Sequence, residues 1–178
     1  MLSRLPQILA HDAKAILENW VTALRSRSDL RVNPAEAEAQ CRDILLALTQ
    51  AVADGNVTDV RGIAFAPLRD ILADIVRRHT VLGFTPSEIA TTMFSLKPQL
   101  YTRLQALFAD EPAALADEIL IASQLVDALG LLMIEAHQRV REELITRQQQ
   151  EISELATPVV KLWDGILALP LIGTLDSS

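Results

Sequence analysis

The chain has 178 residues, 50% of them hydrophobic, 22% charged and 4% aromatic, and a net charge of −7. That size and apolar content suit one globular domain with a real core and an appendage. Six glycines and eight prolines are too few for a disordered chain, and the acidic balance argues against a nucleic-acid-binding surface, which needs a basic patch or stripe.

Leu, Ala, Glu and Arg are prominent, and these are helix formers. No long apolar stretch opens the chain, and no run of about 18 uncharged apolar residues occurs anywhere. Neither export nor membrane spanning is expected, so the cytoplasm is the default compartment. The single cysteine, Cys41, forms no internal disulfide. Its place in a helical apolar pattern marks a buried structural thiol rather than a reactive one.

The first predicted helix runs from about Pro6 to Ser26, with Leu9, Ala13, Ile16, Leu17, Trp20 and Leu24 on one stripe. Asn33-Pro34 supplies a cap and a first-turn proline for the second helix. That helix reaches about Asp54, turns Cys41, Ile44, Leu45, Leu48 and Val52 inward, and ends at Gly55. Residues 56 to 67 are less regular, with a short helical turn expected around Val60 to Phe65.

The third helix, about Pro67 to Val81, buries Leu68, Ile71, Leu72, Ile75 and Val76 and stops at Gly83. Thr85-Pro86-Ser87-Glu88 is a capping box. The fourth helix follows to about Phe108 with Ile89, Met93, Leu96, Leu100, Leu104 and Leu107 inward, and Pro98 inside it predicts a kink near Phe94 to Lys97.

Asp110-Glu111-Pro112 opens the last helix, which meets no strong breaker until Thr157-Pro158. Gly130 alone weakens it, by about 1 kcal/mol relative to alanine. A helix from Pro112 to Ala156 would be about 65 Å long, so its second half is expected to protrude or to pack on another chain. Val126, Leu129, Met133, Ala136, Val140, Leu144, Ile152 and Leu155 recur mostly at steps of three and four, with Gln148 as a polar member. Charged and amide residues fill most of the rest. The pattern is that of a short coiled coil with a step irregularity. The alternatives are dimeric packing and a lone helix lying on its own bundle. The stripe outruns the bundle, which favours the dimer.

The closing segment, Thr157 to Ser178, reads as two apolar strands around Asp164-Gly165. A two-stranded hairpin alone is marginal in water, so the segment is expected to open a second domain.

The sequence holds no metal-ligand spacing, phosphate-binding glycine loop, nucleophile elbow or acid/base constellation. No cofactor is expected, and an enzyme is not indicated. His11, His79 and His137 all sit in predicted helices near charged residues and suit structural roles. The functional alternative is an axial haem ligand, with His79 or His137 as the candidates, although no neighbouring residue supports haem specifically. Trp20, Phe65, Phe84, Met93, Phe94, Tyr101 and Met133 would serve either as core or as the lining of a ligand cavity.

Arg147 through Ser177, with Ala156-Thr157-Pro158-Val159-Val160 and Gly173-Thr174-Leu175-Asp176 as landmarks, resembles the linker and opening strands of a STAS domain. It is most similar to the RsbT co-antagonist proteins, the scaffold and sensor subunits of bacterial stressosomes. Upstream, Ala64-Phe65-Ala66-Pro67-Leu68-Arg69, Gly83-Phe84-Thr85-Pro86-Ser87-Glu88 and Ser95-Leu96-Lys97-Pro98 resemble the N-terminal sensor domain of one branch of that family.

The resemblance implies an all-α helical bundle, globin-like but without haem, that homodimerises and is joined by a linker helix to a STAS domain. It implies residues 1–134 as a helical sensor domain, 135–156 as a coiled-coil-like linker helix and 157–178 as the start of STAS. Met133, Val140, Leu144, Ile152 and Leu155 would then form the dimer and linker stripe. The implied partners are STAS-domain scaffold proteins and a switch-type serine/threonine kinase; the acidic charge and the absence of a long apolar run argue separately against nucleic acid and membrane. The implied phosphoacceptor position is Ser177, where the family pattern leads one to expect threonine. The implied function is non-enzymatic, that of an anti-sigma factor antagonist. The alternative is a helical small-molecule or haem-binding sensor.

Overall fold

The computed structural model describes residues 3–26, 32–155, 160–163 and 166–168. Among them are seven α-helices: α1 (Leu5–His11), α2 (Ala13–Arg25), α3 (Pro34–Ala51), α4 (Ala66–Val81), α5 (Pro86–Phe94), α6 (Lys97–Leu107) and α7 (Pro112–Leu155). A 3-10 turn, Ile63–Phe65, leads into α4, and two short strands, β1 (Val160–Trp163) and β2 (Ile166–Ala168), pair antiparallel. The fold is an all-α helical bundle with a long C-terminal helix. The chain divides into two compact units, Met1–Val140 and Arg141–Ser178.

In the first unit the apolar stripes meet in one core. Ile16 and Trp20 of α2, Leu48 of α3, Leu68 of α4, Ile89 and Met93 of α5, Leu100 and Leu104 of α6, and Leu125, Leu129 and Met133 of α7 are all buried there. Each fully buried aliphatic side chain is worth about 1.5–3 kcal/mol, so this core dominates the stability of the unit. Local signals frame the helices. Asn33 accepts from the Ala35 N–H at the start of α3. Thr85 and Glu88 close a reciprocal capping box at the start of α5.

Two helices expected to be continuous are divided. The predicted helix from Pro6 to Ser26 breaks at Asp12. No proline or glycine causes this. Glu118 of α7 holds the Ser3 hydroxyl at 2.7 Å and the Arg4 N–H at 2.8 Å, and Leu5 and Leu9 are fully buried. Tertiary anchoring therefore sets the direction of α1.

The kink expected near Phe94 to Lys97 is a full break. Proline at 98 has no N–H, and its ring would meet the carbonyl of Phe94. So α5 stops at Phe94, and α6 begins at Lys97 with Pro98 in its first turn; at its other end Leu107, expected inward, is the last helical residue and is 55% exposed. The Trp20 indole N–H donates to the Ser95 hydroxyl at 2.8 Å and anchors the break to α2.

In the second unit, residues 141–153 of α7 are all exposed, with an Arg147–Glu151 ion pair at 3.1 Å. The strands follow, in the register Val160 to Ala168 and Lys161 to Leu167. Asp164-Gly165, the turn expected between them, lies outside the described residues, as does Ser177.

Candidate functional site

α4 ends in a Schellman motif. Gly83 adopts φ 78°, a conformation that costs glycine little. The Phe84 N–H reaches the His79 carbonyl at 3.0 Å, and the Gly83 N–H reaches that of Thr80 at 3.0 Å. The apolar contact that accompanies this motif is here a ring pair. The Phe84 ring stacks on the His79 imidazole with centroids 4.6 Å apart.

His79 is 4% exposed, and neither ring nitrogen has a hydrogen-bond partner. Burial lowers its pKa below the ordinary imidazole value. Glu36 opposes that shift and Arg78 adds to it. The ring is therefore neutral near pH 7, with one N–H and one bare nitrogen, both unused. A buried polar group left unpaired costs about 1–3 kcal/mol.

Beside this ring lies a cavity of about 50 Å³. Its wall includes Trp20 and Leu24 of α2, Gln40, Cys41 and Ile44 of α3, Ile75 of α4, Thr92 and Met93 of α5, and Met133 of α7. Cys41 is a buried protonated thiol, its pKa pushed up to about 12 by burial and then by Glu38. Thr92 donates to the Glu88 carbonyl at 3.1 Å, and the Glu88 carboxylate accepts from the Thr85 N–H and hydroxyl.

α7 touches the site twice. Met133 lines the cavity, and one turn later His137, 4% exposed, donates from Nε2 to the Phe84 carbonyl at 3.1 Å. A third contact lies nearby. Phe94 rests on Gly130, and Lys97 sits 5.4 Å from the Phe94 ring centroid while pairing with Asp127 at 2.7 Å.

Of the aromatic and methionine residues singled out in the sequence, the cavity gathers Trp20, Phe84, Met93 and Met133. Phe65 is fully buried in the core, and Tyr101 bonds Ser123. The sequence reading missed Gln40 and Thr92 as lining. Both are polar members of helical stripes, and no spacing rule marks them. His79 and His137 are brought together through Phe84, one by its ring and the other by its carbonyl. Val140 is buried in the first unit, Leu144 and Ile152 are 37% and 66% exposed, and Leu155 ends α7.

A ligand-sized pocket is usually about 300–1,000 Å³. A cavity of about 50 Å³ takes no haem, and the Nε2 of His137 is already engaged. Among the described residues no group of three or more His, Cys, Asp or Glu is placed to hold a metal ion. One helix, within Pro112–Ser153, is long and apolar enough to cross a membrane by length and composition. Ala122, Leu125, Val126, Leu129 and Met133 on that helix are buried in the bundle, which accounts for much of its apolarity.

The family profile described as the RsbT co-antagonist protein rsbRD N-terminal domain matches residues 14–152. The chain belongs to this family. No curated protein and no solved structure matches it. The match takes in α2 through α6, the cavity and most of α7. It places the helical unit among stressosome-related signalling domains, a signalling and scaffold family rather than an enzyme family. Within this rsbRD N-terminal domain, α7 meets the cavity through Met133 and the α4–α5 turn through the His137–Phe84 hydrogen bond.

Proposed function

We propose that the chain is the sensory N-terminal module of a stressosome-like anti-sigma factor antagonist. It is cytoplasmic and non-enzymatic, dimerises along α7 and relays a signal through that helix to a STAS domain. In this reading residues 1–134 sense, 135–156 link and 157–178 open the STAS domain. Ser177 is the phosphoacceptor for a switch-type kinase, and STAS-domain scaffold proteins are the other partners.

The observation that carries the reading is α7. Its first part is core to an rsbRD N-terminal bundle, and the apolar spacing continues through Val140, Leu144 and Ile152 into a stretch whose side chains are all exposed. A relay needs an element with two arrangements and a ligand or partner that favours one of them. α7 meets the Phe84 turn through His137, so a change at the turn is felt on the helix.

Light scattering on the eluting protein at micromolar concentration tests this, with a dimer as the expected result. A monomer that stays monomeric when a complete STAS domain follows would sink the proposal.

The second reading, a small-molecule sensor, is favoured by the unpartnered imidazole of His79 beside a cavity. The haem version predicts a Soret band in fresh protein. The size of the cavity predicts a colourless one.

A further inference from the structure

We propose that the cavity beside His79 binds a small uncharged alcohol of about two or three non-hydrogen atoms. Its hydroxyl is held by the His79 imidazole, and its alkyl part packs against Trp20, Ile44, Met93 and Met133. This deepens the small-molecule reading of the helical unit and rests on it.

Size comes first. An engineered apolar cavity of about 150 Å³ holds benzene, so one of about 50 Å³, a third of that volume, holds about two or three heavy atoms.

Chemistry comes second. Neutral His79 presents one donor and one acceptor with no partner for either. A hydroxyl both donates and accepts, so it matches whichever nitrogen it meets and is indifferent to the tautomer.

Charge is the third constraint. A buried ion needs a counter-charge or several hydrogen bonds. Most of the wall is apolar, and the Glu88 carboxylate is engaged by the Thr85 N–H and hydroxyl at 2.7 and 2.8 Å. Water alone is a poorer occupant, since a buried water needs two to four polar partners and leaves the apolar wall unfilled.

The Phe84 ring lies over the imidazole, and both ring nitrogens are covered. The hydroxyl therefore reaches a nitrogen as the stacked pair parts slightly. Because His137 holds the Phe84 carbonyl at 3.1 Å, occupancy is transmitted to α7.

The test uses ethanol as the probe and the full chain carrying Trp163→Phe, which leaves Trp20 as the reporter of the two tryptophans. The expected result is a saturable change in Trp20 fluorescence with a millimolar Kd. His79→Leu should weaken it at least tenfold with helicity unchanged. His79→Gln, which keeps a donor and an acceptor, should stay within about threefold of the parent. 1-Hexanol, too long for the cavity, should give no saturation.

A change linear in alcohol and equal in His79→Leu would mean a solvent effect and a merely water-filled cavity, overturning the site. Equal affinity in His79→Leu would overturn it as well. Light scattering on the same samples separates the two levels. A dimer without saturable binding removes this ligand and leaves the signalling reading intact.

Discussion

His79 is buried without a hydrogen-bond partner in a core where polar groups are otherwise largely satisfied. Such a group lowers stability, and proteins commonly retain costly residues where function uses them. At pH 7.5 the leucine variant should be as stable as the parent or about 1 kcal/mol more stable, because an unsatisfied polar group is replaced by an apolar one. Urea denaturation reads this, and a loss of 2 kcal/mol or more would mean that the imidazole is well satisfied. The pH dependence follows from the same burial. The unfolded chain protonates this ring near 6.5, and the folded chain only at lower pH. The unfolded state therefore binds more protons in that window, and stability falls as pH drops below 6.5. Glu36 opposes and Arg78 reinforces the effect. The midpoint should fall more between pH 7.5 and 5.5 in the parent than in His79→Leu; parallel losses would remove the argument.

At the scale of elements, the contact between α5 and α7 turns on Gly130. Glycine inside a helix costs about 1 kcal/mol relative to alanine, so propensity alone favours Gly130→Ala. A Cβ there would sit 2.8 Å from Phe94 Cζ and closer still to Cε1. Overpacking of that kind costs about 1–3 kcal/mol, and the net expectation is a loss of about 1 kcal/mol. Made in a Phe94→Leu background, the same substitution should be neutral or stabilising. A gain in the otherwise native chain would show that Phe94 does not lie on α7.

Much of this level was legible in the chain. Gly83 and the Thr85–Glu88 box mark the α4–α5 turn because their chemistry is local, and the apolar stripes of α3, α4 and α7 follow the helical period. The division at Asp12 was not legible, since its cause, Glu118, lies more than a hundred residues away in sequence. Pro98 signalled the place of a disturbance, but the hydrogen bond from Trp20 that anchors Ser95 there is a long-range contact with no local signal. The cavity was legible only as a set of aromatic and methionine candidates. Which of them line it depends on crossing helices, and Gln40 and Thr92 enter for that reason alone.

At the scale of the whole molecule, the question is what the second part of α7 does with its apolar residues. Inside the first unit, Met133 and Val140 are buried by the bundle. Past Arg141 the stripe persists, yet Leu144, Ile145 and Ile152 are 37%, 44% and 66% exposed in a single chain. If a second copy covers them, Leu144→Glu together with Ile152→Glu places four carboxylates in the interface of a two-fold dimer. Losing four apolar side chains at about 1 kcal/mol each weakens association by about 4 kcal/mol, close to a thousandfold, and unpaired buried charge adds to that. The double variant should therefore elute as a monomer at about 10 μM, by light scattering. The folded bundle should hardly notice, because exposed substitutions usually change stability by less than about 0.5 kcal/mol. Its cooperative unfolding, followed at a concentration where both proteins are monomeric, should match the parent. A dimer that survives both charges puts the contact elsewhere on the bundle, and the relay along α7 would then need another route. A monomer that has also lost its cooperative transition would show the stripe serving its own chain, against the exposure of Leu144 and Ile152.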